Sequence, residues 1–163
     1  MDTATITQID FHSVSQFLNM EAKLLDDRKF SEWMDLFTDD GFYWVPLRHD
    51  QESPDEASLF YDTKDFMRTR FERLEHPRIH SQIPHHRTCR LIGTILEPEV
   101  TSNQDIRVRS NMLMVDYRQG VQRVFAAHVE HRLRHQTGRL KIASKRVNLV
   151  NCDDAFELIA VPF

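Results

Sequence analysis

Residues 121–150, VQRVFAAHVEHRLRHQTGRLKIASKRVNLV, carry the clearest structural pattern of the chain. From Val121 to His135, apolar and polar residues alternate, which is typical of a strand with one buried face. One face carries Phe125, Ala127, Val129 and Leu133, and the other carries His128, Glu130, Arg132 and Arg134. Gly138 indicates a turn, and Leu140 to Val150 predicts the returning strand. The stretch therefore predicts a long β-hairpin.

Two more strands are predicted upstream of this hairpin. One runs from Thr88 to Leu96, and the other runs from Ile106 to Tyr117 and reaches the hairpin through the turn Gln119-Gly120. These strands are longer than the usual ~5–6 residues. Long strands joined by tight turns predict a strongly curved antiparallel sheet that is bent by β-bulges.

The first half of the chain is predicted to be mainly helical. Apolar residues at helical spacing from Phe11 onward predict a helix of about 15 residues with Asp10 as its N-cap. A short second helix is predicted from Phe30 to Phe37. A third helix follows Asp62, its predicted N-cap, and ends at Pro77. The predicted buried stripe of this third helix consists of Phe66, Met67, Phe71 and Leu74.

A short strand, Phe42 to Leu47, is predicted between the second and third helices, directly after a turn at 38–41. Strand alternation cannot point Phe42, Tyr43 and Trp44 to the same face. At least one of these rings must therefore face solvent, a cavity or another subunit. Because Tyr, Trp and Arg are enriched at interface anchors, this run is the strongest predicted contact site, with a core position for Trp44 as the alternative.

The 163 residues fit a single domain, 1–163, because domains usually contain roughly 100–200 residues. Three N-terminal helices followed by a long meander of strands predict an α+β fold. We expect the sheet to wrap around the helices and form a cone with a cavity, which is the nuclear-transport-factor-2-like (cystatin-like) architecture.

Composition restricts the partners and the compartment. The net charge of −4 argues against a nucleic-acid binder, which normally has a basic surplus. No apolar run approaches the ~20 residues of a membrane-spanning helix, and residues 1–11 lack a signal-peptide pattern. The two cysteines, Cys89 and Cys152, cannot supply a disulfide framework. These features predict a cytoplasmic protein.

Several segments resemble, in order, the small (beta) subunit of bacterial aromatic-ring-hydroxylating dioxygenases. The segment FLNMEAKLLDDRKF at 17–30 resembles the opening helix of that family. The segments WMDLFTDD at 33–40 and YWVP at 43–46 are similar to its most recognisable stretch. Further similar segments are SLFYD at 58–62, HSQ at 80–82 with Pro84 and Arg87-Thr88, and KRVNLVN at 145–151. The resemblance thus covers nearly the whole chain.

The resemblance implies a non-catalytic structural subunit of a multicomponent Rieske dioxygenase. Three small subunits would assemble with three large subunits, and the large subunit would carry a Rieske [2Fe–2S] cluster and a mononuclear Fe(II). The complex would add both atoms of O₂ to an aromatic ring in bacterial aromatic catabolism, with electrons from NADH or NADPH through a reductase and sometimes a ferredoxin. By analogy, we expect an aromatic acid or a related monocyclic aromatic as the substrate.

Contacts with the large subunit and between small subunits are predicted from residue type alone. Aromatic and arginine side chains anchor interfaces most often. The predicted interface residues are Tyr43, Trp44, Arg48, His80, Gln82, His85 and Arg87.

No cofactor, metal or catalytic residue is expected on this chain. A Rieske cluster needs Cys-x-His and Cys-x-x-His pairs, but Cys89 is followed by Arg-Leu and Cys152 by Asp-Asp. A mononuclear oxygenase iron needs two histidines and a carboxylate on one face. Nine histidines keep a metal site open as an alternative. The densest group, His76, His80, His85 and His86, is interrupted by Pro77 and Pro84, so it presents no helical i, i+4 pair.

Other candidate groups have simpler structural explanations. His128, His131 and His135 lie in a predicted strand, where His128 and His131 point to opposite faces. The aspartate pairs at 26–27 and 39–40 sit at helix ends beside turns, where aspartate is locally favoured. Cys89 lies in an apolar strand and is predicted to be a core or half-buried thiol. The basic residues Arg68, Arg70, Arg73, Arg107, Arg109, Arg132, Arg134 and Arg139 either bind an acidic partner surface or pair with carboxylates of this chain.

A second hypothesis is a free-standing dehydratase or isomerase with the same cone fold, acting in its own cavity. Such an enzyme needs a base with a tuned pKa in an apolar pocket. The candidates here are His80, His85 and Asp62.

Overall fold

The structure, a computed structural model, describes residues 9–78, 83–156 and 159–163. In chain order, its elements are α1 (Phe11–Asp26), α2 (Phe30–Met34), β1 (Phe37–Pro46), β2 (Ser58–Thr63), α3 (Lys64–Glu75), β3 (Arg87–Gly93), β4 (Glu99–Val100), β5 (Ile106–Arg118), β6 (Val121–Gln136) and β7 (Arg139–Leu149). The predicted α+β class is confirmed, as is the long meander formed by β5, β6 and β7.

The strands form one sheet in the order β2-β1-β7-β6-β5-β3, with β4 paired to β5. Tight turns connect β5 to β6 and β6 to β7, and these neighbours are antiparallel. β1 instead lies parallel to β7. The sheet is therefore mixed rather than wholly antiparallel. Strands that are not joined by a short hairpin are free to pair in parallel, and β1 and β7 are separated by most of the chain.

Helix α1 begins where the sequence predicts. The Asp10 carboxylate accepts hydrogen bonds from the backbone N–H groups of His12 (3.1 Å) and Ser13 (3.2 Å), as an N-cap does. At the other end, the carboxylate of Asp26 accepts hydrogen bonds from the Thr88 hydroxyl and the Arg90 backbone N–H, both at 2.9 Å. Asp26 thereby fixes the end of α1 against β3, a role beyond the local one that the sequence predicts.

The predicted turn at 38–41 is wrong, because these residues belong to β1. The strand has an irregular register there: Phe37 pairs with Ile142, but Phe42 pairs with Ser144. Turn-like residues thus form an irregular part of a strand, held by the neighbouring strand β7. Gly41 lies at a close approach between the backbones of β1 and β7, because a Cβ built on it would meet the Ile142 carbonyl oxygen at 2.8 Å.

Gly41→Ala is expected to lower the free energy of unfolding by about 1–3 kcal/mol, because the added methyl group must displace strand backbone. Gly93→Ala is the matched control: a Cβ added at Gly93 would have nothing within 4 Å, so we expect a change within about 0.5 kcal/mol. Urea unfolding followed by circular dichroism measures both variants. Equal stability of the two variants would show that the close approach at Gly41 is unimportant.

The start of α3 also differs from the prediction. Asp62 lies in β2, a strand that the sequence pattern did not predict, and the N-cap position is occupied by Thr63. The buried stripe of α3 is narrower than predicted, because Met67 and Phe71 are buried whereas Phe66 is 66% exposed. The helix ends at Glu75, just before Pro77, as predicted.

The core lies between the helices and the inner face of the sheet. The Phe30 and Phe71 rings stack with centroids 4.8 Å apart, which joins α2 to α3. The fully buried Trp33 makes edge-on contacts with Phe37 and Tyr43 of β1. Inward residues of β5, β6 and β7 complete the core, and the predicted inward set of β6, Phe125, Ala127, Val129 and Leu133, is buried.

Candidate functional site: the outer sheet face and the cone interior

The outer face of the sheet carries a contiguous apolar surface across β3, β5 and β6. Paired residues form two rows, Cys89–Val115–Val124 and Leu91–Leu113–Ala126, and Val150 lies beside Ala126. We call these seven residues the outer apolar patch. Leu91, Leu113 and Val124 are 66%, 49% and 63% exposed, respectively. A shallow depression of about 410 Å³ lies over Leu91, Leu113, Ala126 and Val150. Exposed apolar surface of this kind marks interaction sites.

Polar residues border the outer apolar patch on two sides. On one side, the Arg87 guanidinium lies 4.7 Å from the centroid of the Tyr117 ring. On the other side, a ring nitrogen of His128 (Nδ1) lies 2.8 Å from the Asn111 side-chain oxygen. An apolar centre with a polar border is the usual composition of a protein–protein interface.

Cys89 belongs to this patch, so the predicted core or half-buried position is wrong. The alternation of β3 points Arg90 inward and Cys89 outward, where its thiol is exposed and unpaired with another cysteine. The apolar residues near Cys89 in the sequence cannot show whether Cys89 lies on a buried face of the strand or on a face that is apolar but exposed.

The predicted interface residues have different environments. Arg48, His85 and Arg87 are exposed, and Arg87 lies on the same outer face as the patch. Arg48 forms ion pairs with Asp50 and Glu56. His80 and Gln82 lie outside the described residues. For Arg48, His85 and Arg87, the interface role stays a prediction.

The aromatic run in β1 divides between the two sheet faces, as strand alternation requires. Tyr43 is only 1% exposed and faces the core, where its hydroxyl accepts a hydrogen bond from the Phe163 backbone N–H (2.9 Å). Its side chain therefore belongs to the core of this chain, and its predicted interface role stays a prediction. Trp44 points to the other face, where the Arg146 guanidinium covers its ring at 4.3 Å and Ser58 accepts a hydrogen bond from its indole N–H.

Inside the cone, a buried carboxylate of α1 binds side chains from three other elements. Glu21 of α1 accepts hydrogen bonds from Lys145 Nζ (2.8 Å) and from the Trp33 indole N–H (3.0 Å) at one oxygen. Its other oxygen lies 2.7 Å from His131 Nε2. All three polar partners approach from different elements, so this buried network fixes α1, α2 and two strands of the sheet relative to one another.

Charge stabilises Glu21 in its ionised form. Burial by itself would raise the pKa of this carboxyl, but the positive charge of Lys145 and the interaction with His131 outweigh burial and hold the pKa far below its usual range. The site was not predicted, although the sequence carries a signal for it. Glu21 interrupts the apolar stripe of α1 at a position between Leu18 and Leu25, and His131 occupies an inward position of β6.

Acidification is expected to remove the stability that ionised Glu21 provides. The folded pKa lies below the unfolded value of 4.5, so this contribution is complete above pH 4.5 and declines as the pH falls below it. Unfolding free energies measured from pH 7 downward should therefore decrease more steeply for the wild type than for Glu21→Gln, which cannot titrate. Parallel pH profiles would contradict the assignment of an ionised Glu21.

The segment 159–163 fills the interior next to this network. The Arg90 guanidinium donates to the Pro162 carbonyl oxygen, and Lys145 Nζ donates to the Phe163 carbonyl oxygen at 2.9 Å. The fully buried Phe163 ring lies edge-on to Phe125, with centroids 5.1 Å apart. In this architecture the inside of the cone can form a cavity. Here, the segment 159–163 of the same chain occupies part of that space.

Two of the three bases considered for a free-standing enzyme, Asp62 and His85, lie in the described part of the chain. Asp62 is buried, and both of its oxygens accept hydrogen bonds from Arg70, at 2.7 and 2.8 Å. His85 is exposed. His80 lies outside the described residues. The alternative of a dehydratase or isomerase is therefore not favoured by the geometry.

The three described histidines between α3 and β3, His76, His85 and His86, have different environments, and His80 lies outside the described residues. His86 is buried and lies 2.7 Å from Asp116, which also accepts a hydrogen bond from Arg123. His76 and His85 are exposed. In the part of the chain that the structure describes, no three His, Cys, Asp or Glu residues form a group that could hold a metal ion.

The basic residues mostly pair with carboxylates of the same chain. Arg107 pairs with Glu130, and Arg109 with Glu99. Arg134 binds Asp105 through two nitrogens, at 2.8 and 3.1 Å. These arginines therefore pair with carboxylates of this chain, which is one of the two explanations that the sequence leaves open.

Among residues 9–78, 83–156 and 159–163, no helix is both long and apolar enough to cross a membrane.

Comparisons with known proteins point to one family. A family model described as "Ring hydroxylating beta subunit" matches residues 20–153. The small oxygenase component of the p-cumate 2,3-dioxygenase system of Pseudomonas putida is 31% identical over 136 residues, which are 82% of this chain and 75% of that protein. The beta subunit of an N,N-dimethyl phenylurea N-demethylase from Sphingobium sp. (strain YBL2) is 34% identical over 110 residues, which are 64% of this chain but only 61% of that protein.

A solved structure agrees in fold over most of its length. The crystal structure of the beta subunit of the benzoate 1,2-dioxygenase from Burkholderia mallei superimposes with a TM-score of 0.74 and 27% sequence identity. The match covers 89% of this chain and 93% of the other. The expected cone fold is thereby confirmed.

Proposed function

Because this chain belongs to the ring-hydroxylating beta-subunit family, we propose that it is the small, structural subunit of a multicomponent oxygenase that dihydroxylates an aromatic ring. The match of the family model over residues 20–153 carries this proposal. The pairing of Asp62, the buried carboxylate among the described candidate bases, with Arg70 supports a structural rather than a catalytic role.

The partner is a large (alpha) oxygenase subunit. We place a contact with another subunit on the outer apolar patch, because an apolar surface of this kind is stabilised when a partner removes it from water. Three small and three large subunits form the assembly, and small subunits also contact one another. The described residues of the predicted interface are Tyr43, Trp44, Arg48, His85 and Arg87.

The redox centres belong to the large subunit in this proposal: a Rieske [2Fe–2S] cluster and a mononuclear Fe(II), supplied with electrons from NADH or NADPH by a reductase and in some systems a ferredoxin. The residues of this chain do not fit the cluster. Cys89 is exposed on the outer face, Cys152 is buried, and neither has a histidine at the spacing of a Rieske ligand pair. No step of the reaction is therefore assigned to a residue of this chain.

For the substrate, we propose an aromatic acid or a related monocyclic aromatic. The relatives include the p-cumate and benzoate dioxygenase subunits, whose names contain aromatic acids.

We further propose that the chain is one domain and that the complex works in the cytoplasm, where the two unpaired cysteines would stay reduced.

Co-expression with a large subunit tests the proposal. The small chain alone and the purified complex are compared by light scattering, by elemental analysis for iron, and by NADH-coupled oxygen uptake on benzoate with the reductase present. We expect the small chain to be inert and iron-free, and activity to appear only in the mixed complex. Turnover or stoichiometric metal binding by the small chain alone would overturn the structural role.

A further inference from the structure

A cavity of about 140 Å³ lies between the segment 159–162 and the elements β1, β2 and α3. One wall is aromatic and is formed by Tyr43, Phe60 and Phe71. Leu74, Ile159 and Val161 add aliphatic surface. Tyr43, Phe71 and Val161 are buried, whereas Leu74 and Ile159 are half-buried, so the cavity reaches from the packed interior toward the surface.

The charged groups of this cavity neutralise each other. Among its described lining residues, the charged ones are Asp62 and Arg70. Both Asp62 oxygens accept hydrogen bonds from Arg70, at 2.7 and 2.8 Å, and the guanidinium lies 4.8 Å from the centroid of the Phe60 ring. A charged ligand that enters the buried part of the cavity would have to give up its hydration without a free counter-charge, which is strongly unfavourable. The cavity is therefore suited to an uncharged molecule.

Size and lining restrict the molecule further. An apolar protein cavity of about 150 Å³ lined by Leu, Ile and Phe stays dry and binds benzene. The volume here is similar, and aromatic walls add favourable edge-to-face contacts with an aromatic ring. A two-ring molecule would exceed this space unless the walls moved.

We propose that this cavity binds an uncharged, single-ring aromatic molecule, with the segment 159–162 as its outer wall. The site lies within this chain, so binding does not require the large subunit. It adds a small-molecule site to a chain whose proposed role is structural, and it stands whether or not the subunit role is correct.

Fluorobenzene is a suitable probe, and ¹⁹F NMR titration of the full chain, alone and in the complex with the large subunit, measures its binding. Ala160 lines the cavity, so Ala160→Leu should fill part of the space and weaken binding by roughly tenfold or more. Ala155→Leu makes the same change at an exposed position outside the lining and should bind like the wild type. 4-Fluorobenzoate, which carries a charge, should bind at least roughly tenfold more weakly than fluorobenzene.

Leu74→Ala provides a second variant that enlarges the cavity instead of filling it. We expect it to retain fluorobenzene binding and to gain affinity for 1-fluoronaphthalene, which the wild type should bind poorly. Absence of saturable fluorobenzene binding to the wild type, or equal binding by wild type and Ala160→Leu, would overturn the site. Tighter binding of 4-fluorobenzoate than of fluorobenzene would overturn the uncharged class of ligand.

Discussion

Leu113→Asp is expected to prevent association with the large subunit while the small chain remains folded. Leu113 lies at the centre of the outer apolar patch, between Leu91 and Ala126 in the paired rows. A carboxylate there would be buried without a partner in the complex, which typically costs more than ~2 kcal/mol, or a roughly 30-fold or greater loss of affinity. Because Leu113 is half exposed in the free chain, the free energy of unfolding of the small chain should change by less than about 1 kcal/mol.

Val100→Asp is the matched control for this substitution. Val100 is a similarly exposed apolar strand residue, but it lies on β4 outside the patch. Co-purification and light scattering report assembly, and circular dichroism reports folding. If Leu113→Asp assembled with wild-type affinity, the outer apolar patch would not be the contact surface.

Glu21→Leu is expected to lower the free energy of unfolding by about 3–5 kcal/mol. The substitution leaves the buried Lys145 ammonium without its carboxylate and removes the acceptors of the Trp33 indole and His131. Removing one partner of a buried ion pair typically lowers the free energy of unfolding by this amount, because the other charge stays buried without compensation. Chemical unfolding monitored by tryptophan fluorescence measures the loss.

Two variants show whether the unpaired charge causes the loss. Replacing both partners in Glu21→Leu/Lys145→Met removes the charge as well, and should recover most of the stability. Glu32→Leu makes the same substitution at an exposed glutamate, whose ion pair with Lys29 is on the surface, and should change stability by less than about 0.5 kcal/mol. An equal loss in the double variant would mean that the shape of Glu21, rather than its charge, is what matters.

The parts of the fold that the sequence predicts well are those with a long, regular pattern. Helix α1 has a strong apolar stripe and a capping aspartate, and the hairpin of β6 and β7 alternates over many residues. The start of β1 and the whole of β2 were missed for different physical reasons. Residues 38–41 have turn composition, and in the structure they form an irregular stretch of β1 between the pairs Phe37–Ile142 and Phe42–Ser144 with β7. The segment 58–63 is a short mixed run whose pairing with β1 is a tertiary property.

The candidate contact surface was harder to predict than the fold. In β3, the outward residues Cys89 and Leu91 are as apolar as many core residues, so alternation alone cannot say which face meets solvent. On β6, Val124 and Ala126 lie on the face that also holds His128 and Glu130. The patch becomes visible only when neighbouring strands are placed in register. Residue type likewise does not specify a sheet face: Tyr43, chosen by type as an interface residue, has its ring on the buried face, and its interface role stays a prediction.

The parallel pairing of β1 with β7 has a consequence for the order of events during synthesis. Lys145, which binds Glu21 and belongs to β7, lies 124 residues after Glu21. At a translation rate of about 5–20 residues per second, roughly 6–25 s separate the synthesis of these two residues. Until β7 leaves the ribosome, β1 lacks one neighbour and the apolar stripe of α1 lacks part of its covering sheet. The nascent chain therefore depends on β7 to complete this part of the fold, and ribosome pausing before β7 would prolong the aggregation-prone interval.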